Sequence, residues 1–303
     1  MDAVTELKVQ TALALAVYPL VTLGVLLAVG LKVRATAAQP ERPGVLGLAL
    51  MAALAVSWVG LVGAPSTLPP VDRKLWMPIL TLAVPALFFV VERKPRVGVV
   101  APAAALAICL GTWLVLAPVL GGEYAPVSRV ATGAALALAT WIGLDRAARI
   151  VPAPVVLASV CFAAMGAAAS SALAGTALMG QALGGVACVA GVASLVVWRL
   201  PRLTAGSMAV AAVLVPFLGT VQIATYYGEL PPVAAALFAV APLGALAALA
   251  MRRVVPATLV AAAVAAALAA IGAFTTIQAE SAKAARLNEG QPAVGNTPDY
   301  GKL

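Results

Sequence analysis

Residues 145–202 read DRAARIVPAPVVLASVCFAAMGAAASSALAGTALMGQALGGVACVAGVASLVVWRLPR, and no charged side chain stands between Arg149 and Arg199. A soluble helical hairpin keeps a polar face, whereas this stretch is apolar on every face a helix would present. It divides near Gly175 into two runs, each close to the ~20 residues a helix needs to cross a hydrocarbon core about 30 Å thick. The flanking arginines, Arg146 and Arg149 before it and Arg199 and Arg202 after it, would then emerge on one side of a bilayer.

Outward from this hairpin the pattern repeats. Hydrophobic residues make up 63% of the 303-residue chain and charged residues 10%, where a soluble domain carries about 25% charge. The mean hydropathy is +1.05. Ten apolar stretches are expected to span, at 10–31, 44–63, 75–91, 97–120, 127–144, 151–173, 177–198, 205–227, 231–251 and 254–275. They are too long and too uniformly apolar for the alternation of a barrel strand. The expected fold is therefore all-α, a polytopic membrane bundle of about ten helices over residues 1–275. A polar, disordered tail is expected over 276–303.

Charge orients the bundle. Twelve of the nineteen basic residues fall in the odd-numbered gaps: Lys32, Arg34, Arg42, Arg93, Lys94, Arg96, Arg146, Arg149, Arg199, Arg202, Arg252 and Arg253. Basic residues in short loops are retained in the cytoplasm, so both termini are expected outside. The net charge of +8 is then largely this topogenic signal, and no nucleic-acid partner is expected. The first stretch reads as a retained span, because its core exceeds a signal sequence and Asp2 and Glu6 precede it. The high alanine content suggests the inner (plasma) membrane of a bacterium.

Composition also removes chemistries. There is no histidine, which excludes Ser-His-Asp triads, His-ligated haem and the usual zinc sites. Cys109, Cys161 and Cys188 fall mid-span, where thiols act as small hydrophobes. No dinucleotide fingerprint, phosphate loop or metalloprotease motif is present, so no cofactor, metal or catalytic residue is expected. Asp72, Arg73 and Lys74 form one mixed-charge loop that solvation alone explains.

Helix association in lipid relies on small residues. Gly180 and Gly184 form a GxxxG pair, and Gly166 and Ser170 share that interval, so spans six and seven are expected to pack as a tight hairpin. The Gly180/Gly184 face is also the candidate surface for a membrane-protein partner or a second copy. Prolines at 78, 85, 216 and 242 are expected to kink their spans. The tryptophans stand mostly toward span ends and are expected to serve as an interfacial belt or in packing, with Trp113 deepest and the one for which a pocket is the alternative.

Two segments resemble each other. Leu110-Gly111-Thr112 precedes Gly122-Glu123-Tyr124-Ala125-Pro126-Val127, and Leu218-Gly219-Thr220 precedes Gly228-Glu229-Leu230-Pro231-Pro232-Val233. The units lie four spans apart and share orientation, as parallel repeats would; coincidence and shared turn chemistry are the alternative. The expected polar groups at depth are Thr112, Thr140, Ser170, Ser171, Gln181, Thr220 and Gln222. No ionisable residue is expected at that depth, Arg129 standing only at an outer edge, which disfavours proton coupling. The candidate substrate-binding residues are Thr112, Glu123, Tyr124, Thr220, Gln222, Tyr226 and Glu229. The carboxylates of the matched outer turns, with Tyr124, Tyr226 and Tyr227, would form an outward vestibule for a polar or cationic solute, and plain solvated turns are the alternative. Two functions fit: a permease for a small uncharged or lipid-like solute, or a non-catalytic scaffold subunit of an envelope or energy-transducing complex. An enzyme fits less well.

Overall fold

A computed structural model of the chain describes residues 17, 19–25, 28, 44–62, 76–93, 97–122, 125–199, 205–251 and 253–288. Among these there is no strand. The helices are α1 (Gly44–Val62), α2 (Trp76–Arg93), α3 (Val97–Leu116), α4 (Val127–Ile150), α5 (Ala153–Leu173), α6 (Ala177–Arg199), α7 (Ser207–Tyr226), α8 (Pro232–Val240), a 3-10 segment (Ala241–Ala248) and α9 (Val254–Asn288). Six of the described helices, α1, α4, α5, α6, α7 and α9, are long and apolar enough to cross a membrane. The stretches Trp76–Val90, Val100–Leu116 and Pro232–Ala248 are apolar but shorter. The protein is an all-helical, multi-pass membrane protein.

The expected stretches from residue 44 onward fall on these helical segments, but two helices overrun them. α4 continues past 144 to Ile150, because Arg149 pairs with Asp145 one turn earlier at 3.0 Å. α9 continues past 275 to Asn288, into the segment expected to be disordered. Its polar extension is rich in Ala, Glu, Lys and Arg, all strong helix formers, and carries an i,i+3 pair of Lys283 and Glu280 at 3.9 Å. Residues 289–303 lie outside the described residues.

α7 is the central helix. Its run from Met208 to Leu214 is at most 1% exposed, and it packs against α1, α2, α3, α4, α6 and α8. A helix apolar all round fits such a position. α5, α6, α9 and the 3-10 segment form the tightest part of the bundle through small residues. In α9, Ala257, Ala261, Ala265 and Ala269 recur every fourth position and are all buried. A Cβ at Gly166 of α5 would stand 2.5 Å from the Ala269 Cβ, and one at Gly244 would stand 2.7 Å from the Ala261 carbonyl oxygen. Close backbone approach of this kind substitutes for the hydrophobic drive that lipid does not supply.

The α5–α6 hairpin forms as expected. Gly175 takes φ +78°, and Thr176 N–H donates to Ser171 O at 2.9 Å while Gly175 N–H donates to Ala172 O at 3.3 Å. This is the Schellman closure, which needs the left-handed residue at Gly175. The contact inside the hairpin differs in detail. A Cβ at Gly180 would meet Ala168 O at 2.9 Å, whereas nothing lies within 4 Å of one at Gly184. Gly166 faces α9 and not α6.

Contacts sort the helix ends onto two sides. Gly44 at the start of α1 meets Phe89 near the end of α2, Ser194 of α6 donates to Pro154 O at the start of α5, and Asp145 and Arg149 meet Ser207 at the start of α7. At the opposite side Tyr227 donates to Val115 O of α3, and the α7–α8 turn meets α9 through Glu229 and Lys283.

Candidate functional site

Gln222 is the hinge point of the candidate site. It lies on α7 between two cavities that share Ala137, Leu218 and Gln222 as walls. The inner cavity, about 40 Å³, lies among α2, α3, α4 and α7, with Leu80, Ile108, Thr112, Trp141 and Gly219 around it. The outer cleft, about 210 Å³, opens between α4, α7 and α8. Its walls are apolar, formed by Leu136, Leu218, Val221, Ala235, Ala236 and Ala239, and its polar residues are Arg129, Thr132, Gln222, Thr225 and Tyr226.

Hydrogen bonding makes this cleft a donor site. Thr112 Oγ1 donates to Gln222 Oε1 at 3.3 Å, which ties α3 to α7 and leaves the Gln222 amide nitrogen for the cavities. Thr132 donates to Ser128 O at 2.9 Å and Thr225 to Val221 O at 2.7 Å, so neither hydroxyl has a donor left to offer. Tyr226 is 6% exposed, and its hydroxyl makes no hydrogen bond with any described residue. Arg129 is exposed at the mouth and makes no ion pair among the described residues. Among the described residues no carboxylate lines the cleft.

Two helix N-termini add to this polarity. α4 starts after Pro126 and α8 after Pro231, and neither has a side-chain cap. Arg129, in the first turn of α4, and Pro232, at the start of α8, both line the cleft. The positive ends of two helix dipoles therefore lie beside one mouth, although Pro231 and Pro232 have no N–H and the first open donor of α8 is at Val233. The inner end of the cleft has a different character. Pro242 has no N–H to close a 3-10 bond onto Ala239 O, and buried Thr140 of α4 donates to that carbonyl at 2.9 Å. α8 is thus a nine-residue wall ending at a break in helix type.

Of the residues expected from sequence, Thr112, Gln222 and Tyr226 come together here. Thr220 is fully buried and donates to Pro216 O of its own helix at 2.5 Å. Glu229 pairs with Lys283 of α9 and lines neither cavity. Glu123 and Tyr124 lie outside the described residues. Trp113, the one tryptophan deep enough to have faced a pocket, is 59% exposed on the outer face of α3, as a belt or packing role allows. Trp141 takes the inward place, at 2% exposure, with its ring centroid 5.2 Å from that of Phe88 and its Nε1 without an acceptor.

Sequence reasoning left out Arg129, read as a residue at an outer edge, and Thr225. Only position marked them: Arg129 stands one turn after Pro126, and Thr225 one turn after Gln222. Asp145, placed in a solvated turn, is 4% exposed instead. It accepts from Ser207 Oγ at 2.5 Å and from Arg149 Nε at 3.0 Å, and a second arm of Arg149 reaches Ser207 at 3.1 Å. That network clips the end of α4 to the start of α7, where a carboxylate suits the helix dipole. Comparison of the chain with profiles of protein families, with curated proteins and with solved structures finds no match.

Proposed function

We propose that this chain is a carrier of the bacterial inner membrane that moves a lipid-like solute, with about ten spans and both termini outside. The observation that carries this reading is the donor-lined apolar cleft between α4, α7 and α8. An aqueous solute would need polar walls, whereas these walls suit an acyl or similar apolar body and the mouth suits a polar head. The short wall α8 and its Pro242 break give the cleft an element able to shift without disturbing the alanine-packed helices behind it. The orientation is supported by the gathering of Arg149 and the start of α7 at one end of the bundle, with the cleft mouth at the other.

Vesicles reconstituted with the purified protein test the carrier reading. Movement of a tail-labelled lipid between leaflets faster than in protein-free vesicles is the expected result, and equal rates would refute it.

A second reading, a scaffold subunit, is favoured by a different surface. An open groove of about 730 Å³ runs between α5, α6 and α9, with Gly184, Cys188 and Gly191 along its floor. Gly184 is unoccupied by its own bundle, which leaves that face for a partner helix or a second copy. Stoichiometric co-purification with other membrane proteins would support this reading over the first.

A further inference from the structure

We infer that the outer cleft is a site for an anionic phospholipid, with its phosphate at Arg129 and the two helix N-termini and an acyl chain along α8. This rests on the cleft being the carrier's substrate site and names the substrate class.

The inference follows from a mismatch of donors and acceptors. The cleft offers the Arg129 guanidinium, the Tyr226 hydroxyl, the Gln222 amide nitrogen and the positive dipole ends of α4 and α8. Its threonines have spent their donors on their own helices, and no carboxylate among the described residues lines the cleft beside the cation. Tyr226 is 6% exposed and lines the cleft, where its hydroxyl has no hydrogen bond to any described residue and can donate to a ligand or water. The complementary head is rich in acceptors and negatively charged. A phosphate diester fits best, because its oxygens accept from a planar guanidinium two at a time and sit well at helix N-termini. The complementary body is apolar, as the wall of Leu136, Ala235, Ala236 and Ala239 is. A free phosphate would leave that wall unused.

The repeated sequence gains a meaning from this geometry. Pro126-Val127 and Pro232-Val233 begin α4 and α8, which pack side by side with the same polarity. The paired turns supply paired helix N-termini to one ligand.

The test uses the full-length protein in mixed micelles containing phosphatidylglycerol and phosphatidylcholine of matched acyl chains, with the retained lipid read by native mass spectrometry. The wild type is expected to retain phosphatidylglycerol about tenfold over phosphatidylcholine. Arg129→Gln should lose that preference while keeping its melting temperature, and Ala236→Trp should lose the bound lipid of both kinds. An unchanged preference in Arg129→Gln overturns the assignment. Displacement by millimolar inorganic phosphate together with indifference to Ala236→Trp also overturns it, in favour of a free-anion site. Lipid retained with this selectivity but not moved in vesicles sinks the carrier reading alone. Rapid movement of phosphatidylcholine with no anionic preference sinks this inference alone.

Discussion

Thr140 shows how one hydroxyl sets the limits of the cleft. Its side chain is fully buried and donates to Ala239 O, the carbonyl that Pro242 cannot serve in a 3-10 register. Thr140→Val keeps the shape and removes the donor, so a buried carbonyl loses a partner at a cost of about 1–3 kcal/mol. A lower midpoint in thermal unfolding of the detergent-solubilised protein is expected, and an unchanged midpoint would show that the break in α8 does not depend on this bond. The residue was legible in the sequence as a polar group at depth, but its partner was not, because a bond across ninety-nine positions leaves no local trace. Thr112 and Gln222 illustrate the same gap. Each stood out as polar in an apolar run, and only folding brings Thr112 Oγ1 within 3.3 Å of Gln222 Oε1. Arg129 was discounted because an edge position explains a charge adequately; its importance comes from lining an apolar cleft with no carboxylate among the described residues around it.

At the scale of elements, the glycines divide into those that touch and those that do not. Gly180 sits where a Cβ would come within 2.9 Å of the Ala168 carbonyl oxygen, and Gly184, one turn on, opens into the groove beside α9. Gly180→Leu is expected to abolish a folded, monodisperse protein in detergent, whereas Gly184→Leu is expected to leave thermal stability within about 0.5 kcal/mol of the parent, as an outward substitution does. The opposite ranking, read by size-exclusion profile and melting temperature, would contradict the hairpin geometry. The sequence motif was the same at both positions, so spacing alone had no means of ranking them. Which face of α6 meets α5 depends on helix rotation, and an apolar helix with small residues on several faces does not encode that rotation locally. The turn was different. Gly175 between two runs of uncharged residues is a local signal, and the Schellman closure realises it. Helix ends beyond the apolar runs were underestimated at α4 and α9 because hydropathy marks the lipid-compatible length, while the helix itself continues as long as its backbone bonds and charged pairs support it.

For the whole molecule, hydropathy carried the fold class, and packing around α7 carried the arrangement of the described helices. Orientation is a property of the chain as a unit, and single cysteines in a background lacking Cys109, Cys161 and Cys188 test it. With both termini outside, Ala285→Cys should react with a membrane-impermeant maleimide in intact cells and Arg253→Cys only after lysis; the reverse pattern would invert the proposed topology. The cleft then opens on the outer side, beneath Arg129 and between the starts of α4 and α8. Filling it should stop movement of lipid without harming the bundle, since Ala236 is only partly buried and faces open space. The most direct measurement is the rate of transbilayer movement of tail-labelled phosphatidylglycerol in vesicles holding wild type, Ala236→Trp or Leu106→Trp, the last placed on an outward face of α3 that is 63% exposed. The expected result is a loss of at least about tenfold for Ala236→Trp beside a wild-type rate for Leu106→Trp. Equal rates in all three, with equal melting temperatures, would contradict a transport path through the cleft.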